Sequence, residues 1–120
     1  MKAVRIHHVA FRTRDLPRLE AFYRGLLGLT PTRRSEGSIW LAAGDAHLML
    51  ERKDEGEPDV PEGTREIVVF SIGPEERAGY TRKLEEAGVP VEAETGFTLY
   101  FRDPDGRRVG LSHHPEPRID

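Results

Sequence analysis

Two adjacent histidines, His7 and His8, are the residues near the start of the sequence whose chemistry stands out. They open the run HHVAFRT, in which the residue pattern is typical of a β-strand. Neighbouring side chains of a strand point to opposite faces, so we expect only one of these imidazoles to face a cleft. An imidazole in a cleft can bind a metal ion, act as a general base near neutral pH, or line a pocket.

Composition limits the kinds of site that the chain can build. It contains no cysteine, which excludes disulfides, thiolate metal ligands and cysteine nucleophiles. A metal site would therefore have to use histidine, carboxylate and water. The formal net charge is only -3, which gives no reason to expect nucleic acid or a membrane surface as a partner. Because no apolar run could span a bilayer or serve as a signal peptide, we expect a cytoplasmic protein.

A repeated order of elements is predicted to position these residues. In the first half, a strand at 4–13 precedes a helix that has Asp15 as its N-cap and ends at Gly28. Two extended runs follow at 38–43 and 46–52, joined by a hairpin signal. The first half is therefore predicted to run strand, helix and then further strands.

The same order returns after a polar, acidic stretch at 53–64, which we expect to be a solvated linker. The predicted helix of the second half ends at Gly88, roughly 60 residues after Gly28. The predicted strands of this half are 66–72, 97–102 and 107–113. The chain is therefore predicted to be a single α+β domain, 1–120, containing two βαβββ repeats at about 4–52 and about 65–114.

Three stretches, HHVAFRTRDL, FYRGLLGLTP and YFRDPDGRRVGL, give the chain a resemblance to the vicinal oxygen chelate superfamily. This superfamily includes glyoxalase I, bleomycin-resistance proteins, fosfomycin-resistance proteins and extradiol dioxygenases. The resemblance covers about residues 4–114 and implies two repeats that form a cupped mixed sheet, with helices on its outer face, in a homodimer. In metal-using members, four inward side chains, often His, Glu, His and Glu, bind a metal ion that chelates oxygens of the substrate.

Carried over by this resemblance, the four ligand positions fall on His8, Met49, Ile67 and Gly110. Only His8 keeps a common ligand type, because Met suits soft ions and the other two offer no side-chain donor. The resemblance thus implies a protein without a metal cofactor. The alternative is a divalent metal ion held by His8, Glu51 and His114, although ligands displaced by two residues along a strand move by about 6 to 7 Å.

The same carry-over predicts which residues line a small-molecule site. Trp40 could stack on a planar ligand or belong to the core, and Tyr100 and Arg102 could hold an anionic or aromatic ligand or lie at a solvent edge. Of Arg107 and Arg108, at most one is expected to face inward. The predicted ligand-binding residues are His8, Arg12, Trp40, His47, Met49, Glu51, Ile67, Tyr100, Arg102, Gly110 and His114.

Two functions remain in competition at this point. The first is a metal-independent small-molecule-binding protein similar to the bleomycin-resistance branch, and the inward Arg12 and Arg102 would suit an anionic ligand. The second is an enzyme, either a metal-dependent lyase or isomerase with rearranged ligands or a metal-free catalyst. In the metal-free enzyme, His8 would be the general base and Glu51 its partner.

Overall fold

A computed structural model describes residues 3–119 of the chain. They form two compact units, Met1–Pro58 and Asp59–Asp120, and the boundary falls inside the predicted linker. Each unit contains one four-stranded sheet and its helix. The prediction that residues 1–120 make a single domain stays a prediction.

The first unit has the order β1, α1, β2, β3 and β4. Its elements are β1 His8–Thr13, α1 Leu16–Glu20, a π-helical continuation Ala21–Leu26, β2 Thr30–Ser35, β3 Ser38–Ala43 and β4 Ala46–Arg52. The strands lie in the order β1-β4-β3-β2, with β1 parallel to β4 and the other pairs antiparallel. This is a βαβββ unit whose first strand lies beside its last.

The second unit repeats this topology. Its elements are β5 Ile67–Ser71, a 3-10 turn Pro74–Glu76 that leads into α2 Arg77–Glu86, β6 Ala93–Glu94, β7 Thr98–Arg102 and β8 Arg108–Ser112. The strand order is β5-β8-β7-β6, and β5 is parallel to β8. The predicted α+β fold with two βαβββ repeats is confirmed.

Local sequence explains where the helices begin and end. The Asp15 side chain accepts a hydrogen bond from the backbone N–H of Arg18 at 3.1 Å, which satisfies one of the unpaired donors at the start of α1. Gly28 and Gly88 follow the two helices with φ of +75° and +70°, a conformation that favours glycine. The predicted N-cap and both helix ends are therefore present.

Each sheet buries one face in its own core. The buried side chains of the first unit include Leu19, Tyr23, Ile39, Leu41, Leu48 and Leu50. Those of the second unit include Leu84, Leu99, Phe101, Val109 and Leu111. On β3 and β4 these residues alternate with less buried ones, as the two-residue period of a strand requires.

Three details of the fold differ from the sequence prediction. Strands β2 and β6 were not predicted, because β2 is exposed and rich in Arg and β6 has only two residues. Strand β1 begins at His8 rather than at residue 4, and Val4 before it is fully exposed at 100%.

Within residues 3–119, no helix is long and apolar enough to cross a membrane.

Candidate functional site

The sheet face of the first unit that lies opposite its core brings several predicted site residues together. In the sheet register, His8 lies beside His47, Arg12 beside Glu51, and Trp40 beside Met49. We call this surface the first open face. Its residues are His8, Ala10, Arg12, Ser38, Trp40, Ala42, His47, Met49 and Glu51.

One end of the first open face is an aromatic cluster around Trp40. The ring centroid of Trp40 lies 4.8 Å from that of His8 and 5.9 Å from that of His47, in edge-to-face geometry. His7 lies at the rim, just before β1, and its Nδ1 is 2.9 Å from Nδ1 of His8. The two adjacent imidazoles therefore meet at this end, although neighbouring strand residues usually point apart.

The other end of the first open face is a charge cluster around Arg12. Its Nε donates to Glu57 Oε2 at 2.9 Å, and its Nη1 donates to Glu51 Oε1 at 3.2 Å. Asp54 is a third, more distant partner at 3.5 Å. The Arg12 hydrogen bond lowers the pKa of Glu57, and the same bond raises the pKa of Arg12. The stretch predicted to be a solvated linker thus folds back to Arg12.

The sheet register separates two residues that were expected to act together. Glu51 was expected to partner His8, but it lies beside Arg12, four residues beyond His47 on β4. At about 3.3 Å per residue, that separation is about 13 Å along the strand. The catalytic pair of His8 and Glu51 and the metal site that needs both stay predictions, and this separation argues against them.

His114, the third residue of that alternative metal site, lies beyond the end of β8 rather than on its face. Its ring centroid is 5.0 Å from that of Phe97, and its backbone N–H donates to Ser112 Oγ at 3.2 Å. The neighbouring His113 is buried, with Nε2 3.1 Å from Nη1 of Arg77 and Nδ1 2.7 Å from the carbonyl of Glu116. The chain turns away from the sheet at this point.

The corresponding surface of the second unit, the second open face, contains the remaining predicted residues. The register sets Gly110 between Val69 and Tyr100, and sets Arg108 between Ile67 and Arg102. The residues of this face are Ile67, Val69, Ser71, Thr98, Tyr100, Arg102, Arg108, Gly110 and Ser112.

A cationic corner forms on the second open face. Glu92 accepts from Arg102 Nη2 at 2.8 Å and from Arg108 Nε at 3.3 Å, and the Arg102 hydrogen bond lowers the pKa of Glu92. The guanidinium carbon of Arg108 lies 4.3 Å from the centre of the Tyr100 ring, within cation–π range. Two guanidinium groups share one carboxylate, so the corner keeps a net positive charge.

Arg108 was missing from the predicted ligand-binding residues. The parity of the strand could have identified it, because it precedes Gly110 by two residues and so shares its face. Arg107 points the other way and binds Asp103 at 3.2 Å and Asp105 at 3.1 Å in the turn. Of the two arginines, Arg108 is the one on the open face.

The four ligand positions carried over by the resemblance hold only one common ligand for a divalent metal ion, the imidazole of His8. At Gly110 an added Cβ would lie 3.1 Å from Val69 Cγ2 and 3.4 Å from Ile67 Cδ1, so apolar atoms surround this ligand position. Across residues 3–119, no group of three or more His, Asp or Glu residues is placed to hold an ion. The residues carried over by the resemblance therefore do not fit a His and Glu centre.

Comparison with known proteins identifies the family of this chain. Glutathione transferase FosA of Serratia marcescens is 31% identical over 111 residues, which are 88% of this chain and 78% of FosA. The crystal structure of the fosfomycin resistance protein FosX from Listeria monocytogenes has a TM-score of 0.80 at 20% identity, covering 93% of this chain and 92% of FosX.

A FosX mutant complexed with Mn(II) and 1S,2S-dihydroxypropylphosphonic acid has a TM-score of 0.75 at 20% identity, covering 93% and 90% of the two chains. At this identity the structural likeness concerns the fold. Residues 5–111 match the sequence model of the Glyoxalase/Bleomycin resistance protein/Dioxygenase superfamily, which spans both units. The chain therefore belongs to the Glyoxalase/Bleomycin resistance protein/Dioxygenase superfamily.

Proposed function

We propose that this protein is a metal-independent small-molecule-binding member of the superfamily. The observation that carries the proposal is the donor set at the four ligand positions. His8 supplies one imidazole and Met49 a thioether, while Ile67 and Gly110 supply no side-chain donor. A single imidazole holds a divalent ion too weakly to compete with water, and a thioether is a poor ligand for hard ions.

The open faces support binding of a small organic molecule. The first offers Trp40 with its surrounding imidazoles, and the second offers Tyr100 and Arg108 beside the exposed Val69. Small-molecule sites combine such apolar and aromatic surfaces with a few oriented polar groups. Homodimerisation and a cytoplasmic location, both expected from the sequence, belong to the same proposal.

The test is the metal content of untagged protein, measured by plasma mass spectrometry after purification without chelators. The wild type is compared with His8→Ala and with His114→Ala, a control that removes an imidazole outside the open faces. We expect substoichiometric metal that is the same in all three proteins. Metal near one equivalent that disappears in His8→Ala would refute the proposal and favour a metalloenzyme, and its loss in His114→Ala as well would point to the alternative site that includes His114.

A further inference from the structure

We propose that Arg108 anchors the anionic group of an organic anion whose apolar part lies against Val69. This inference deepens the proposed function and rests on it, because it names the chemical class of the bound molecule and the residue that recognises it. It follows from the placement of Arg108, from the charge around it and from the apolar surface beside it.

The side chain of Arg108 is held in place, but its hydrogen-bonding capacity is not saturated. The side chain is only 13% exposed, and its guanidinium lies over Tyr100. Its Nε donates to Glu92, whereas neither Nη1 nor Nη2 has a hydrogen-bond partner among the described residues. Two such amino groups in one plane match the two oxygens of a carboxylate or a phosphoryl group. Since the side chain is already ordered, binding loses little side-chain entropy.

The surrounding charge distinguishes Arg108 from the other arginines of the open faces. Arg102 is occupied by Glu92 and by the carbonyl oxygens of Thr64 and Gly106. Arg12 has three carboxylate partners, so its charge is compensated. The single carboxylate of Glu92 pairs with the guanidinium groups of both Arg102 and Arg108. A bound anion would supply a second negative charge and neutralise this corner.

Apolar side chains form the surface beside the Arg108 guanidinium. Ile67 lies next to Arg108 across the sheet, and Val69 lies next to Gly110. Val69 is 47% exposed, and Gly110 carries no side chain that would cover it. An apolar group attached to the anion would cover Val69 and gain hydrophobic free energy there. The site therefore favours an organic anion over an inorganic one.

The test uses three probes, benzoate, its neutral analogue benzamide and inorganic phosphate, with binding measured by isothermal titration calorimetry. We expect benzoate to bind the wild type more tightly than either of the other probes. Arg108→Gln should weaken benzoate binding by about tenfold or more, because it removes a charged, two-pronged donor. Arg108→Lys keeps the charge but loses the planar donor pair, so we expect a smaller loss.

A control variant makes the result specific. Arg82→Gln removes an exposed arginine of α2, which lies outside both open faces. We expect this control to bind benzoate within about twofold of wild type, and circular dichroism verifies that every variant is folded. Equal binding by wild type and folded Arg108→Gln would refute the inference, as would an equal loss of binding in Arg108→Gln and Arg82→Gln.

The result of the benzoate titration can be distinguished from the result of the metal measurement that tests the proposed function. If benzamide binds as well as benzoate, the protein binds small molecules but the assignment of an anion to Arg108 is wrong. If benzoate does not bind the wild type even at millimolar concentration, the inference is also wrong, and the metal content still decides the proposed function independently. Tight benzoate binding that depends on Arg108, in protein with stoichiometric metal, would support the anchor and overturn metal independence.

Discussion

Asp103 provides the sharpest prediction about stability, because one buried carboxylate organises the turn between β7 and β8. Its side chain is 0% exposed. Oδ1 accepts from the backbone N–H of Asp105 at 2.8 Å and of Arg107 at 3.1 Å, and Oδ2 accepts from Arg107 Nη1 at 3.2 Å. The turn sets the spacing of the two strands that carry Arg102 and Arg108.

The expected decrease in the free energy of unfolding follows from these contacts. Asp103→Ala removes the acceptor of two backbone N–H groups and leaves the guanidinium of Arg107, 14% exposed, with Asp105 as a remaining carboxylate partner. Hydrogen bonds to a charged group contribute about 1.5 to 3 kcal/mol each, and breaking a buried ion pair costs about 3 to 5 kcal/mol. We expect Asp103→Ala to lower the free energy of unfolding by about 3 to 5 kcal/mol. Asp103→Asn keeps an acceptor for the N–H groups, so we expect about 1 to 2 kcal/mol.

The assay is urea unfolding at neutral pH, followed by circular dichroism, with the matched variant Asp45→Ala. Asp45 occupies the corresponding turn between β3 and β4, but its side chain is 92% exposed and pairs with the exposed Arg5 at 3.4 Å. We expect Asp45→Ala to change the free energy of unfolding by less than about 0.5 kcal/mol. A loss below about 1 kcal/mol for Asp103→Ala, or equal losses in both turns, would refute the reasoning.

Two further predictions concern the core and the response to acid. Leu50→Ala should lower the free energy of unfolding by about 2 to 5 kcal/mol, and Met49→Ala, on the less buried face of the same strand, by about 1 kcal/mol or less, in the same urea assay. Hydrogen bonding to Arg34 lowers the pKa of Glu20. The ionised carboxylate therefore stabilises the fold fully at pH values above the ordinary pKa of glutamate, and this stabilisation is lost as the pH falls through the lowered pKa. The unfolding midpoints of wild type and Glu20→Gln should therefore differ at pH 7 and converge toward pH 3; a constant difference would contradict this.

Much of the fold could be predicted because its signals are local. Strands β3 and β4 occupy the predicted ranges, since each alternates buried and less buried residues and a turn with glycine joins them. The cap at Asp15 and the glycines after both helices depend on residues within one helical turn. Where a few neighbouring residues determine the local structure, the sequence alone was sufficient to predict it.

The features that could not be predicted depend on contacts between distant parts of the chain. Strand β2 contains Pro31 and is mostly exposed, so its pairing with β3 rather than its own pattern defines it. The acidic stretch after β4 has a composition typical of a solvated linker, yet Glu57 bonds Arg12 on the neighbouring strand β1. No local pattern encodes that ion pair.

The site was predictable to the level of strand faces and no further. The two-residue period places His8, Met49 and Gly110 on the open faces of their sheets, as the register shows. The side-chain partners could not be predicted in this way, since Glu51 hydrogen-bonds Arg12 instead of His8 and the His7 ring turns toward His8. Such partners depend on rotamers and on neighbours from other strands, which a single sequence does not reveal.

The parallel pairing of first and last strands has a consequence for how each unit folds. The hairpin of β3 and β4 joins residues close in sequence and can form within about 1 to 10 μs. Pairing β1 with β4 joins His8 to His47, and closing a loop of that length costs about 3 kcal/mol of chain entropy. We expect docking of the first strand to be the slow step, so substitutions in β1 should alter the refolding rate more than equally destabilising ones in β2.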